Sequence, residues 1–171
     1  MIHVCITGHR LQGIRPYLNQ NQISITEFKR KIDKIINKYF NNKDKYIFHL
    51  GGSDGFDNIV GEILYKNNYT YELFVPFFDV NGRTYWSSKE IDIYNNIKKY
   101  AKEIHVINGR YLDRDKKLQQ NTSILLAFKL NNRSGTKKTI QMWKERVTLY
   151  STKTLGEGLI LLKSKKIKGG I

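Results

Sequence analysis

The residues of this chain that could do chemistry lie in four short segments, and the richest is a glycine-containing turn at residues 51–57. The turn follows an apolar run at residues 46–50 and precedes a helical pattern that starts at residue 58. A strand that enters a glycine-rich turn and then a helix exposes backbone N–H groups beside the positive end of the helix dipole. The turn therefore predicts a site for an anionic ligand. Its candidate ligand-binding residues are Gly51, Gly52, Ser53, Asp54, Gly55 and Asp57.

The two carboxylates of this turn need a separate role, because a phosphate is negative and like charges repel. Asp54 and Asp57 fit better as acceptors for ribose hydroxyl groups or base amino groups. Asp57 fits equally well as a cap of the helix that follows. The turn is not a Walker A motif, since no lysine follows it in the required place.

A second segment, Thr7-Gly8-His9-Arg10, follows the first predicted strand. Gly8 lets the backbone approach a ligand, Thr7 supplies a hydroxyl, and Arg10 supplies the planar fork that suits a phosphate. His9 could donate to a phosphate or act as an acid or base near neutral pH. A surface turn that carries an arginine is the alternative interpretation.

The remaining two segments flank the last predicted parallel strand. Arg114 lies in a basic stretch that leads into this strand, either as a ligand contact or as a surface residue. Ser134, Gly135 and Thr136 follow the strand and open a helix, where they could present free N–H groups and two hydroxyls to an anion. The alternative for this segment is a simple helix cap.

The order of the secondary-structure elements indicates how the four segments meet. Apolar runs predict strands at residues 2–6, 46–50, 71–75, 103–107 and 124–128. Helical periodicity and cap residues predict helices at residues 23–40, 58–66, 87–101, 113–121 and 136–145, with one or two edge strands at 148–150 and 159–162. Near-continuous apolar strands that alternate with helices are typical of a doubly wound α/β domain, a mostly parallel sheet with helices on both faces. Such domains bind ligands at the carboxyl ends of the strands, where the strand order reverses.

Composition favours negatively charged partners. The chain has 30 lysines and arginines against 15 acidic residues, a net charge of +15, which suits nucleotides, nucleic acid or acidic membrane surfaces. A general bias toward Lys, Asn, Ile and Tyr, which leaves many lysines merely solvated, is the alternative. We expect a single domain over residues 1–162 and a basic, flexible tail over residues 163–171.

The single cysteine, Cys5, excludes an internal disulfide and suits a reducing cytosol. It lies in an apolar run, so we expect a packed strand residue rather than a nucleophile. No run approaches the roughly 18 apolar residues that span a bilayer, and the chain begins without a signal-peptide pattern. We therefore expect a cytoplasmic protein with no membrane partner.

The four histidines are scattered and form no metal-ligand pattern, so we expect neither a metal nor a cofactor. A cluster of aromatic residues follows the third predicted strand. These rings could stack on a nucleotide base, or they could belong to the core or to an oligomer contact. They are Phe77, Phe78, Tyr85 and Trp86.

The chain resembles the SLOG superfamily in four features taken together. These are the segment at residues 7–10, the glycine turn with Glu62 after it, Arg114 ahead of a strand, and residues 134–136. This superfamily is the Rossmann-like group that contains DprA and the LOG phosphoribohydrolases, and the nearest branch looks like the YpsA-type proteins of bacteria and phages. The resemblance covers about residues 1–147. It implies a site for nucleotides or nucleotide derivatives over the strand ends, and a homo-oligomer of two or more chains. One departure is that the LOG pattern Gly-Gly-x-Gly-Thr-x-x-Glu ends here on Thr139.

Three hypotheses follow. The leading one is a protein that binds a nucleotide-derived ligand, such as a cyclic ADP-ribose-like signal, and senses or sequesters it without turnover. Backbone N–H groups of residues 51–55 and 135–136, with Arg10 and Arg114, would hold its phosphates. The second is an enzyme that cleaves the N-glycosidic bond of a nucleotide, with Glu62 and Asp57 as candidate catalytic acids. The third is a protein that binds single-stranded nucleic acid, as DprA does.

Overall fold

The computed structural model describes residues 1–131 and 135–166, and its strands form one seven-stranded sheet. The strands are β1 (Ile2–Gly8), β2 (Tyr46–Leu50), β3 (Tyr71–Pro76), β4 (Glu103–Ile107), β5 (Ile124–Phe128), β6 (Tyr150–Gly156) and β7 (Leu159–Ser164). The helices are α1 (Leu11–Gln20), α2 (Ile25–Tyr39), α3 (Phe56–Lys66), α4 (Ser88–Tyr100), α5 (Tyr111–Gln119) and α6 (Gly135–Val147).

The sheet has the order β4-β3-β2-β1-β5-β7-β6. Strands β1 to β5 are parallel, whereas β7 runs antiparallel to both β5 and β6. The chain moves outward from β1 to β4, then returns to place β5 on the other side of β1. The strand order therefore reverses between β1 and β5, which is where such folds form a crevice for ligands.

Helices cover both faces of the sheet, which confirms the predicted α/β fold class. One core lies between the sheet and α1 to α4, with Phe28, Ile63 and Ile97 among its members. The second and smaller core lies under α5 and α6, around Leu118 and Trp143. Successive strand residues point to opposite faces, so the buried strands are apolar throughout.

Helix α1 was not predicted, because Gly13 and Pro16 lie inside it and both weaken a helical pattern. The helix forms because Ile14, Tyr17 and Leu18 are buried in the larger core. Tertiary burial outweighs the local cost. As a result, a helix N-terminus directly follows β1 at the point where the strand order reverses.

Several other boundaries differ from the predictions. Strand β1 continues to Gly8, so Thr7 and Gly8 belong to the strand rather than to a loop after it. Strand β6 begins only at Tyr150, and β7 is an interior strand rather than an edge strand. Strand β7 also runs two residues into the segment assigned to the tail, to Ser164. Residues 167–171 of that tail lie outside the described part of the chain.

Gly55 allows the turn at residues 51–57 to pack against the loop after β1. Its φ of +85° and ψ of −126° lie in a region that only glycine adopts readily. A Cβ at Gly55 would lie 2.6 Å from the His9 carbonyl oxygen and from the Leu11 nitrogen. These are backbone atoms, which cannot rotate away.

We expect Gly55→Ala to lower the free energy of unfolding by about 2–4 kcal/mol, from backbone strain and overpacking together. Urea unfolding followed by circular dichroism measures this change. The matched control is Gly135→Ala, because a Cβ there meets Asp115 Oδ2 at an ordinary 3.7 Å. Equal stability of the two variants would show that the close approach at Gly55 does not matter.

Candidate functional site

A cavity of about 530 Å³ opens at the carboxyl ends of β1 and β5, where the strand order reverses. Most of the ligand-binding residues predicted from the sequence line it. These are Thr7, Gly8, His9, Arg10, Ser53, Asp57, Arg114, Gly135 and Thr136. Among the other predicted residues, Gly51, Gly52, Asp54 and Gly55 do not line this cavity, and Ser134 lies outside the described residues.

Two helices begin at the cavity wall. Gln12 and Gly13 belong to the first turn of α1, and Gly135 and Thr136 begin α6. The N-cap residue of α1, Arg10, makes no side-chain capping hydrogen bond within the described ranges. The N-terminus of a helix carries a partial positive charge and presents backbone N–H groups. Both helix ends therefore favour an anion in the same cavity.

The glycine turn has a structural role. The Phe56 N–H donates to the His9 carbonyl at 3.0 Å, and the Ser53 N–H donates to Asp57 Oδ2 at 3.3 Å. The Gly51 carbonyl accepts a hydrogen bond from Arg114 Nη1. Backbone groups of the turn are thus hydrogen-bonded to Asp57, to Arg114 and to the loop after β1. That its amides form a phosphate cradle stays a prediction, and the first residues of α1 and α6 line the cavity together with Ser53 and Asp57.

Asp57 is a buried carboxylate in the cavity wall, 5% exposed. Its Oδ2 accepts hydrogen bonds from the Ser53 hydroxyl at 2.7 Å and from the Ser53 N–H. Its Oδ1 has no hydrogen-bond partner in the part of the chain that is described. Burial raises the pKa of Asp57 to about 6, although the nearby Arg114 charge acts in the opposite direction. Asp57 is not the cap of α3, because Gly55 occupies that position.

Arg114 places a buried positive charge beside two buried carboxylates. Its Nε donates to Asp115 Oδ1 at 2.7 Å, and its Nη1 donates to the Gly51 carbonyl. Arg114 and Asp115 are both less than a tenth exposed, and both line the cavity. Since these bonds already use part of the guanidinium, Arg114 supplies charge to the cavity more than a free hydrogen-bonding fork. Sequence reasoning missed Asp115, although it directly follows Arg114.

His9 connects the loop after β1 to the segment after β5. The Leu130 N–H donates to His9 Nε2 at 2.7 Å. Because Nε2 accepts, the proton of the neutral ring is assigned to Nδ1. Burial, followed by the charge of Lys129, lowers the pKa of His9 and favours this neutral form. The side chain can donate a hydrogen bond from Nδ1.

Arg10 and Tyr111 line the cavity and contact a further arginine and tyrosine beside it. The Arg10 guanidinium lies 5.2 Å from the Tyr111 ring, and its Nη1 is 3.5 Å from the Tyr85 hydroxyl. Arg83 contacts the same two tyrosines and pairs with Asp79 at 3.0 Å. Sequence reasoning missed Arg83, which is far in sequence from the four segments, and Tyr111, which lies only three residues before Arg114.

Glu62 lies outside the cavity. It pairs with Lys29 of α2 and Lys66 of α3, each at 3.5 Å. It follows Asp57 on α3 by about 7.5 Å along the helix axis. The helix carries its side chain toward α2 instead of the strand ends. The catalytic role of Glu62 stays a prediction, but the acids that line the cavity are Asp57 and Asp115.

A separate group on β3 and β4 could hold a metal ion. Ligand atoms of Glu72, Glu103 and His105 lie within 4.8 Å of one another. Sequence spacing gave no sign of this group, because the register of the two strands brings it together. His105 Nε2 lies 3.2 Å from Glu72 Oε2, which is also the geometry of an ordinary ion pair. The group lies apart from the cavity lining.

Within residues 1–131 and 135–166, no helix has the length and apolar character needed to cross a bilayer. Cys5 is fully buried, and burial raises the pKa of its thiol, as expected for a packed strand residue.

Comparison with known proteins supports the fold. The chain is similar to the crystal structure of TM1055, a structural-genomics target, with a TM-score of 0.58 and 15% sequence identity. The similarity covers 86% of this chain and 71% of TM1055. No protein-family model matches the chain, and no curated protein matches it. At this identity the likeness shows a shared Rossmann-like α/β fold.

The raised pKa of Asp57 predicts how the stability of the chain depends on pH. Its pKa is about 6 in the folded chain against an ordinary 3.8, so the folded state binds more protons between these values. The free energy of unfolding that it contributes therefore falls as pH rises from about 4 to about 6, by about 3 kcal/mol. The asparagine side chain in Asp57→Asn cannot ionise, so this variant does not lose that stability as pH rises. We expect the variant to gain stability relative to the unmodified chain over that pH window.

Urea unfolding of both proteins at about pH 4 and about pH 7.5 measures the difference. The paired comparison is needed because burial lowers the pKa of His49 to about 4, which makes its contribution change in the opposite direction. A stability difference that stays constant with pH would contradict the assignment for Asp57.

Proposed function

We propose that the cavity binds a phosphorylated nucleoside or a nucleotide derivative, and that the protein senses or sequesters this ligand. The observation that carries the proposal is the convergence of two helix N-termini, α1 and α6, on one cavity that also contains Arg10 and Arg114. Each helix end favours an anion, and arginine is the side chain best suited to phosphate. The volume of about 530 Å³ suits a small molecule.

The buried acids define which anion fits. Asp57 and Asp115 lie in the same wall as Arg114. A ligand with several phosphates would bring negative charge against these carboxylates. A ribosyl phosphate fits both kinds of charge in the wall. Its ribose hydroxyl groups can donate to the negative Asp57, and its single phosphate can bind at the positive helix ends. This arrangement favours a nucleoside monophosphate or a related ribosyl phosphate.

The resemblance to the SLOG superfamily, nearest to its YpsA-type branch, supports this proposal. The LOG enzymes have a glutamate where this chain has Thr139. Thr139 lines the cavity, and its hydroxyl donates to the Gly135 carbonyl at 3.2 Å. A hydroxyl at this place cannot act as the missing carboxylate. Binding without turnover is therefore the preferred function, and a ligand with one phosphate fits the buried acids better than a cyclic ADP-ribose-like signal, which carries two.

A binding experiment tests the proposal. Isothermal titration calorimetry should detect adenosine 5′-monophosphate and ribose 5-phosphate, and Arg10→Ala should weaken both by about 10-fold or more. The matched control is Arg30→Ala, because Arg30 is exposed on α2, away from the cavity. If neither ligand binds, or if both variants behave alike, the proposed site is wrong.

Cleavage of the N-glycosidic bond is the second candidate, and one observation favours it. Asp57 is buried in the cavity with a pKa of about 6, which suits a general acid or base near neutral pH. Such a group could protonate a departing base or activate water.

Incubation with nucleoside monophosphates, followed by chromatography for released base, tests this candidate. We expect Asp57→Asn to abolish any release, whereas Glu62→Gln retains it because Glu62 is outside the cavity. If the unmodified chain releases no base, the cleavage hypothesis is wrong and only the binding hypothesis remains. Loss of release in Glu62→Gln would contradict the placement of the acid.

A further inference from the structure

A second cavity lies beside the first, on the other side of the first turn of α1. Its volume is about 590 Å³, and its wall includes Asp54, Tyr85 and Trp86. We propose that this second cavity holds the base of the same ligand, an amino-substituted heterocycle such as adenine, while the first cavity holds the ribosyl phosphate. This inference rests on the proposed function and specifies its ligand further.

The two cavities are neighbours at the start of α1. Gln12 lines both of them. Arg10 lines the first cavity and Tyr85 lines the second, and Arg10 Nη1 lies 3.5 Å from the Tyr85 hydroxyl. A ligand whose phosphate sits at the helix N-terminus can therefore extend over the first turn of α1 into the second cavity.

The glycine turn supplies one carboxylate to each cavity. Asp57 lines the first and Asp54 lines the second. Asp54 is 7% exposed, and its Oδ1 has no hydrogen-bond partner among the residues described. A buried acceptor without a partner is costly, so it calls for a donor. The exocyclic amino group of adenine is such a donor.

Trp86 provides the complementary donor in the same wall. It is 8% exposed, and its Nε1–H is likewise without a partner in the described part of the chain. A ring nitrogen of a base could accept from it. Both polar atoms are screened from solvent, so a base reaches them by displacing the Trp86 side chain. Binding should then change the fluorescence of Trp86.

Charge and ring exposure also favour a base over a second phosphate. Asp54 and Glu90 line the second cavity against a single cation, Arg15. This excess of carboxylates repels an anion but accepts amino groups. Tyr85 is 65% exposed at the mouth, where Arg10 and Arg83 contact its hydroxyl. An exposed ring that is held in place can stack on a base.

The test compares ligands that share a phosphate and differ in the base. We expect adenosine 5′-monophosphate to bind about 10-fold more tightly than ribose 5-phosphate in calorimetry. Asp54→Asn should remove most of that advantage while the dissociation constant of ribose 5-phosphate stays unchanged, and Tyr85→Ala should lower the affinity for adenosine 5′-monophosphate. Adenosine 5′-monophosphate should also alter tryptophan emission in the unmodified chain and not in Trp86→Phe.

The outcomes separate this inference from the proposed function. If ribose 5-phosphate binds and Arg10→Ala weakens it, but the base adds no affinity or Asp54→Asn has no effect, the base site is wrong and the phosphate site stands. If neither ligand binds, both proposals are overturned. Arg30→Ala is the control for a general change in charge, and Tyr85→Ala alters an exposed side chain that the fold does not need.

Discussion

The site depends on one close backbone contact, between the glycine turn and the loop that follows β1. The Phe56 N–H bonds to the His9 carbonyl, and Gly55 has no Cβ that would keep the two segments apart. His9 then accepts from the Leu130 N–H beyond β5. Three segments that are distant in sequence are thereby fixed around the place where strand order reverses. The contact lies beside the start of α1, whose first turn lines the cavity.

Charge in the site is balanced between backbone dipoles and buried side chains. The ends of α1 and α6 and the two arginines attract an anion, while Asp57 and Asp115 limit how much negative charge can enter. Arg114 stabilises both carboxylates and still leaves the pKa of Asp57 raised by its burial. The same wall can therefore accept a phosphate at one end and hydroxyl or amino groups at the other.

Much of the fold could be predicted from the sequence, because buried parallel strands are apolar runs. Strands β2, β4 and β5 have the predicted bounds. Helix α1 could not be predicted, since Gly13 and Pro16 weaken its helical pattern and its buried residues stabilise it only in the folded chain. Within the site, Arg10, Asp57 and Arg114 follow from their positions at strand ends. The actual use of the glycine turn could not be foreseen, because its partners lie on other segments, and Asp115 and Tyr111 gave no local signal.

The central claim is that the N-termini of α1 and α6 bind the phosphate together. Backbone amide chemical shifts in a ¹⁵N-labelled chain, followed during titration with ribose 5-phosphate, test it most directly. We predict that the largest shifts occur at Gln12, Gly135 and Thr136, because the Gly13 N–H already donates to the Arg10 carbonyl at 2.9 Å. Shifts confined to the basic surface of α2, or to the amides of residues 51–55, would contradict it.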